Sequence, residues 1–392
     1  KTPIITSILD NDLYKLTVSN GYFSLYPFAS GVFSFKDRNN MNFPEGFDEA
    51  LNNEISSMAS IKATEEEVAY LKSLKYLPPT YIEFIKNFQY DPSEVKVQLV
   101  DGKLHIDCTG YLYRMTLWEV PLLAVVSELY QKMTGHTPDM EYVKRITAEK
   151  AKRLTAAGCV YSDFGTRRRF SKEVHEVVVK TLMENSADNF SGTSNVYLAM
   201  KYNLKPIGTH PHEWLMFHAA AFGYKGANEL ALTRWRDLYR GKLCTALTDT
   251  FTTDIFFREF TRPLAMSYDG IRHDSESPFV FADKAIAFYN KMGINPLYKN
   301  IVFSDSLNVD RAIELQKYCE GKVHCSFGIG THFTCDTGNG NTPLNIVMKL
   351  LKAKQYDEDE FIGCVKLSDA VGKHLGDEKD IQTCKLSLGI NN

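Results

Sequence analysis

Between residues 160 and 331, a short apolar run that stops abruptly at Asp, Gly, Thr, His or Arg recurs six times: VYSDFGTRRR (160–169), PIGTHPHEW (206–214), TALTDT (245–250), GIRHDS (270–275), IVFSDS (301–306) and FGIGT (327–331). Stretches of helical character separate the runs. A strand buried on both faces reads as an uninterrupted apolar run, and a parallel strand needs a crossover helix before the next can begin. The pattern predicts a barrel or parallel sheet with all six polar clusters at its carboxyl-end rim, where such folds build active sites. An enzyme is expected on that ground.

The periodicity predicts helices over 117–133, 141–157, 171–186, 212–222, 228–240, 279–292 and 308–320. In the first, Pro121 is tolerated in the opening turn and Leu122, Val125, Val126 and Leu129 share a face. Gly158, Gly241, Gly293 and Gly321 stand where helices should end. KVQLVDGKLHID alternates apolar and polar positions on both sides of Asp101-Gly102 and reads as an antiparallel hairpin. After residue 341, NIVMKLLKA and FIGCVKLSD read as two strands around the charged turn YDEDE, either extending the barrel or pairing back into the first domain. The expected division is an N-terminal α/β domain over 1–150, with part of 341–392 packing back on it, and an α/β barrel over 151–340.

Composition narrows the function. The chain has 392 residues, 44% hydrophobic and 24% charged, as an ordinary globular protein does. A net charge of −3 argues against a broad nucleic-acid surface, so any polyanionic ligand must be held by local clusters. VPLLAVV is too short to span a bilayer, and the amino terminus lacks the apolar core of a secretory signal. Eight scattered cysteines without a CxxC pair favour reduced thiols in the cytoplasm. Cys319, Cys325 and Cys335 with His324 and His332 match no common zinc spacing.

Each rim cluster carries its own chemistry. FGTRRR sets three guanidinium groups after an apolar strand, and the planar fork of arginine matches phosphate or carboxylate. Such a run is often a solvated turn; its place at a strand end favours a ligand, with Arg167 facing it. PIGTHPHEW brings His210 and His212, with His218 further on. His212, at a glycine turn before a helix start, is a candidate general base, metal ligand or nucleophile. His218 continues an apolar face and reads as core. Asp249 and Asp274 directly follow apolar runs, where acids hold Mg2+, bond a sugar diol or stabilise a developing cation, or else cap the next helix. FSDS (303–306) and FGIGT offer backbone amides of the kind that cradle phosphate. Together these suit a substrate with several phosphates and a sugar, bound with Mg2+.

From LDNDLYKLTV (9–18) through FGTRRR, GTSN (192–195), GTHPHEW, ALTDT, RHDS, YKNIVFSDSLN, FGIGT, PLNIVMKL (343–350) and KLSDAVGK (366–373), the chain resembles the nicotinate phosphoribosyltransferase family nearly end to end. The resemblance implies an irregular α/β barrel with a second mixed α/β domain formed by the N-terminal region and the C-terminal end, and a homodimer with shared active sites. It implies attack of nicotinate on phosphoribosyl pyrophosphate, giving nicotinate mononucleotide and pyrophosphate. That is the first step of NAD salvage from nicotinate, with ATP hydrolysed through a phosphohistidine and Mg2+ as cofactor.

By the same resemblance, His212 matches the phosphorylated residue. Tyr14 matches the tyrosine that stacks on the pyridine ring from the neighbouring subunit, and Phe164 the residue on its other face. Arg167 would hold the nicotinate carboxylate, and Asn195 would line the base pocket. Asp249, Arg272, Asp274 and Ser275 match the ribose and pyrophosphate site, with Asp274 a candidate Mg2+ contact. Ser304, Asp305, Gly328, Gly330 and Thr331 match the 5′-phosphate loops, and Thr209 joins the substrate-binding set.

The chain departs from the family pattern in two places. RHDSESP has Glu276 and Ser277 where RxDSGDP is usual, and Pro211 replaces a small residue before His212. Two other readings stay open: a metal-dependent hydrolase built on the HxH of His210 and His212, which would leave the arginines and phosphate loops unexplained, and a ligand-binding protein without turnover.

Overall fold

The computed structural model describes residues 1–391. Its strands are β1 (Ser30–Asp37), β2 (Val95–Val100), β3 (Lys103–Tyr111), β4 (Tyr161–Asp163), β5 (Phe190–Thr193), β6 (Lys205–Pro206), β7 (Thr245–Leu247), β8 (Gly270–His273), β9 (Asn300–Phe303), β10 (His324–Ile329), β11 (Ile346–Lys354) and β12 (Ile362–Gly363). They form two sheets among the described residues.

The larger sheet runs β6-β5-β4-β10-β9-β8-β7, with every pairing parallel. It curls without closing, since no ladder joins β6 to β7 among the described residues. This is the expected α/β class, an open and irregular barrel. Its strands are short and apolar, with Tyr161, Ala246, Leu247, Ile271, Ile301, Phe303, Phe327 and Ile329 all buried. The crossover helices Lys172–Asn185, His212–Phe222, Ala227–Tyr239, Pro278–Lys291 and Val309–Cys319 stand where the 3.6-residue period predicts them. Two further helices between β7 and β8, Thr253–Glu259 and Arg262–Ser267, are too short to show a period. The strand order sets neighbours at the rim: the loop after β4 lies beside that after β10, and the loop after β9 between those after β8 and β10.

The second sheet is antiparallel, in the order β12-β11-β1-β3-β2. The β2–β3 hairpin turns at Asp101 (φ 51°) and Gly102 (φ 76°), the pair of left-handed residues that a type I′ turn requires. β11 pairs with β1 from Ser30↔Lys354 to Asp37↔Ile346, so this C-terminal strand joins the N-terminal sheet rather than the barrel. FIGCVKLSD is only briefly a strand. Beyond β12 it crosses to the barrel rim, where Leu367 N–H donates to Thr250 O at 2.8 Å.

The helix Leu13–Leu25 is invisible to periodicity because nearly all of its sides are buried, including Leu13, Lys15, Leu16, Ser19, Asn20 and Tyr22. It packs closely on the helix His212–Phe222: a Cβ on Gly21 would stand 2.9 Å from the Trp214 ring. Helix Glu119–Met133 is buried on most of its surface and carries Pro121 in its first turn, as expected. Helix Glu65–Ser73 starts at a reciprocal cap between Thr64 and Glu67, a local signal the apolar pattern does not carry.

Candidate active site

A cleft of about 720 Å³ opens where the barrel rim meets the antiparallel sheet. Tyr14, Phe164, Arg167, His212, Arg272, Asp274, Ser304, Asp305, Gly328, Gly330 and Thr331 all line it. Five of the six rim segments and the helix carrying Tyr14 therefore converge on one space.

One end of the cleft is aromatic and cationic. Tyr14 opens the helix Leu13–Leu25, and Phe164 follows β4, its N–H donating to Ile329 O at 2.8 Å. Arg167 has no side-chain hydrogen-bond partner in the protein among the described residues, and its guanidinium faces the cleft. The Tyr14 phenol beside it, outweighing the opposing cost of burial, and the carboxylates of Glu119 and Asp12 push Arg167 above its ordinary value. It is a cation without an ion-pair partner among the described residues.

The next two arginines of the run have other partners. Arg168 donates from Nε to Ile346 O at 2.9 Å; burial, then Arg167 and Arg38, pull it down to about 10. Arg169 is buried and forks onto Asp10 through two hydrogen bonds of 2.8 Å. Burial raises the Asp10 carboxyl, but Arg169 holds it at about 2.

At the centre lies His212, the first residue of its helix. Its Nδ1 is 2.9 Å from Thr250 Oγ1; its Nε2 is 2.9 Å from Asp274 Oδ2 and 3.4 Å from Asp249 Oδ1. Burial first, then Lys366, lowers the imidazole from its usual range, against the pull of both carboxylates. Burial opposes ionisation of Asp274, yet the His212 hydrogen bond and Arg272 hold it well below the usual carboxylate range. Asp249 sits behind His212 rather than on the cleft surface: its Oδ2 accepts from Ser275 Oγ at 2.6 Å and Ser368 Oγ at 3.3 Å. Its Oδ1 is buried without a hydrogen-bond partner among the described residues. His212, Asp249 and Asp274 each offer a ligand atom, all within 4.8 Å of one another, and that donor set with its orphaned oxygen suits a hard divalent cation.

The other histidines behave differently. His210 is fully buried, accepts from Leu247 N–H at 3.3 Å, and is pushed down to about 3 by burial, Arg272 and His212. It is a buried core residue and joins no metal-ligand group among the described residues, so the HxH does not present a pair of ligands. His218 bonds Trp214 O and Tyr26 OH within the core. Cys319, Cys325 and Cys335 form no metal-ligand group with His324 and His332 among the described residues.

Three residues expected to touch substrate lie behind the wall. Asn195 caps the helix Val196–Lys201 and donates to Asp10 at 2.8 Å. Ser275 holds Asp249, and Thr209 is buried. Loop residues alternate between facing the cleft and supporting it, and spacing alone does not separate the two.

The opposite wall was missed. Arg38 follows β1, Lys349 projects from β11, and Lys366 and Lys373 flank the C-terminal crossing; all line the cleft. Burial, then Lys36, Arg38 and Lys366, lowers Lys349 to about 7. Lys373 donates to Asp305 Oδ1 at 3.0 Å and to Asp274 O at 3.1 Å. The signal available was the lysine at each end of KLSDAVGK. Also missed was Lys15, fully buried and ion-paired to Glu119 and to Glu213, the residue after His212. Thr116 Oγ1 and Tyr22 OH donate to the other Glu213 oxygen, at 2.7 and 3.2 Å.

Both departures from the family pattern are accommodated. Glu276 takes the left-handed φ of 61° that glycine would favour, and its carboxylate turns to Lys284 at 3.3 Å, away from the cleft. Pro211 takes the N-cap position with extended backbone, so its ring does not interrupt the helix. Tyr14 lines the same cleft as Phe164 and Arg167 of its own chain, and its helix packs on the His212 helix.

Residues 159–386 match the Nicotinate phosphoribosyltransferase (NAPRTase) family and residues 9–127 its N-terminal domain. The chain is 42% identical over 390 residues to the nicotinate phosphoribosyltransferase of Chromohalobacter salexigens, covering 99% of each. It is 43% identical over 383 residues to that of Desulforapulum autotrophicum, covering 97% of this chain and 98% of the other. The crystal structure of nicotinate phosphoribosyltransferase from Porphyromonas gingivalis superposes with a TM-score of 0.97 at 48% identity, covering 99% and 100% of the two chains. A putative nicotinate phosphoribosyltransferase from Saccharomyces cerevisiae gives 0.93 at 32% identity, covering 100% of both.

Proposed function

This chain belongs to the nicotinate phosphoribosyltransferase family, and on that premise we propose that it joins nicotinate to phosphoribosyl pyrophosphate, giving nicotinate mononucleotide and pyrophosphate, with ATP hydrolysed through a phosphate carried on His212. The observation that carries the reading is one cleft with Tyr14, Phe164 and an unpaired Arg167 at one end, and the His212–Asp274 pair beside the Ser304 and Gly330 loops at the other.

The proposed steps follow from the side chains. Tyr14 and Phe164 hold the flat pyridine ring between two faces, and Arg167 takes its carboxylate, which aligns the ring nitrogen for in-line attack. The nitrogen forms its bond to the anomeric carbon as pyrophosphate departs with the electron pair. Asp274, on the cleft wall, stabilises the positive charge that develops on the ribose, and Asp249 supports it from behind His212. Arg38, Lys349, Lys366 and Lys373 receive the phosphates. Mg2+, when bound, neutralises charge on pyrophosphate, and Asp249 and Asp274 are the residues that would hold it.

Burial favours the neutral imidazole of His212, which can attack the γ-phosphorus of ATP as ADP departs. Both ring nitrogens are engaged, so phosphorylation must release one from Thr250 or Asp274. The new phosphoryl group then sits among carboxylates, and relief of that repulsion is available to drive pyrophosphate release or domain adjustment.

The unpaired Arg167 favours nicotinate over uncharged nicotinamide. The same reading makes this the first step of NAD salvage from nicotinate, and eight free cysteines support a cytoplasmic setting. No helix of the described residues is long and apolar enough to cross a membrane. A homodimer with shared active sites belongs to the proposal, and in this chain Tyr14 already lines the cleft with Phe164 and Arg167.

The test is phosphate transfer from γ-labelled ATP. Acid-labile label is expected on the wild type and on His210→Ala, and is expected to vanish in His212→Ala. Label persisting in His212→Ala would move the phosphohistidine elsewhere.

A further inference from the structure

If the pyridine ring lies between Tyr14 and Phe164, the gap between those two side chains decides whether nicotinate is held flat. One glycine sits directly under the Phe164 ring, and another abuts the backbone that carries Tyr14. Gly328 of β10 pairs in register with Ser162 of β4, two residues before Phe164. A Cβ on Gly328 would stand well inside contact distance of Phe164 Cδ2 and Cε2, so the ring rests on the glycine itself. The backbone of Gly328 is outside the left-handed region, so the requirement is for space and not for conformation. Gly208, in the turn that leads to His212, is tight against the other half: a Cβ there would stand 3.0 Å from Tyr14 N and 3.2 Å from Leu13 Cβ. Those are main-chain and near-main-chain atoms of a buried helix and cannot swing aside.

We propose that Gly328 and Gly208 are positioning residues for the nicotinate ring, setting the width of the Tyr14–Phe164 clamp from the two segments otherwise concerned with phosphate. This rests on the functional reading above and sharpens it. Gly328, which the resemblance puts with the 5′-phosphate loop, acts here on the base. Gly330 provides the contrast, since a Cβ there would meet only Phe164 O, at an ordinary 3.5 Å. The arrangement also ties the clamp to the His212 turn and to the phosphate loop: a shift of either segment moves the surface on which one aromatic residue rests.

The experiment is steady-state kinetics on Gly328→Ala, Phe164→Ala and the double variant, with wild-type product formation measured first. In Gly328→Ala the displaced ring should raise the KM for nicotinate by about tenfold or more, as a misplaced stacking surface does, while the KM for phosphoribosyl pyrophosphate stays within about threefold. In the Phe164→Ala background, where the ring is gone, Gly328→Ala should have no further effect on nicotinate. Gly208→Ala should shift nicotinate in the same direction. An equal or larger rise for phosphoribosyl pyrophosphate, additivity in the double variant, or failure of the double variant to fold would each overturn the assignment. If Gly328→Ala alone is unfolded while the double variant folds, the clash is demonstrated directly. Absence of nicotinate mononucleotide from the wild type would instead remove the functional reading, leaving the two failures distinguishable.

Discussion

Arg167 and Arg169 stand two residues apart and lie in regions built on opposite electrostatic plans. Around Arg169, behind the rim, charges are paired: Arg169 forks onto Asp10, and Lys15 ties Glu119 to Glu213. Around Arg167, at the cleft, cations crowd one another: Arg38, Lys349 and Lys366 make no ion pair among the described residues. Removing one member of a buried pair strands its partner, whereas a buried cation without a partner is destabilising as it stands. Losing one partner is therefore costly in the paired region, whereas the unpaired region, on the proposed function, is completed by a ligand.

The comparison breaks most visibly at Lys15. Replacing it with Met leaves Glu119 and Glu213 buried without their cation and should lower stability by about 3–5 kcal/mol, read by chemical denaturation. A loss under about 1 kcal/mol would show that these charges do not depend on one another. Arg167→Ala should do the reverse. Stability should change by about 1 kcal/mol or less, while the KM for nicotinate rises about 30- to 100-fold, as loss of a charge-assisted pair predicts. Equal losses for nicotinate and phosphoribosyl pyrophosphate would show the role to be misassigned.

The gentlest probe is pH. Lys349 sits at about 7 in the fold against an ordinary 10.5. Below about 7 it is charged and adds to the phosphate-binding wall. As pH rises through that value the charge is lost, so the KM for phosphoribosyl pyrophosphate should climb by up to about tenfold per unit. Stability should slope the other way. The unfolded chain binds the proton more tightly, so this lysine's contribution falls as pH drops from its ordinary value toward 7 and is level below it. Lys349→Met should flatten both profiles, and a wild-type KM independent of pH between about 6 and 8.5 would contradict the assignment.

The same division explains what could be read in the sequence. The barrel was legible because a parallel strand buried on both faces is an apolar run, and the chemistry follows where the run stops: Phe164, Arg167, Asp274, Ser304 and Thr331 all lie within a few residues of such a stop. The basic wall was not, because Lys349 sits within NIVMKLLKA, where nothing marks one lysine as facing a cleft. Its role appears only once β11 pairs with β1 and turns that side toward the rim. Asn195 and Ser275 were assigned to the substrate by the family resemblance, yet they support Asp10 and Asp249 from behind. The helix carrying Tyr14 left no periodic trace because it is buried nearly all round.

The most direct measurement is a product assay with nicotinate and with nicotinamide, each in the presence of phosphoribosyl pyrophosphate and Mg2+, with and without ATP. Nicotinate mononucleotide should form, faster with ATP, and nicotinamide should give no product above background. No product from nicotinate, or equal use of the two bases, would contradict a cleft whose free guanidinium selects a carboxylate.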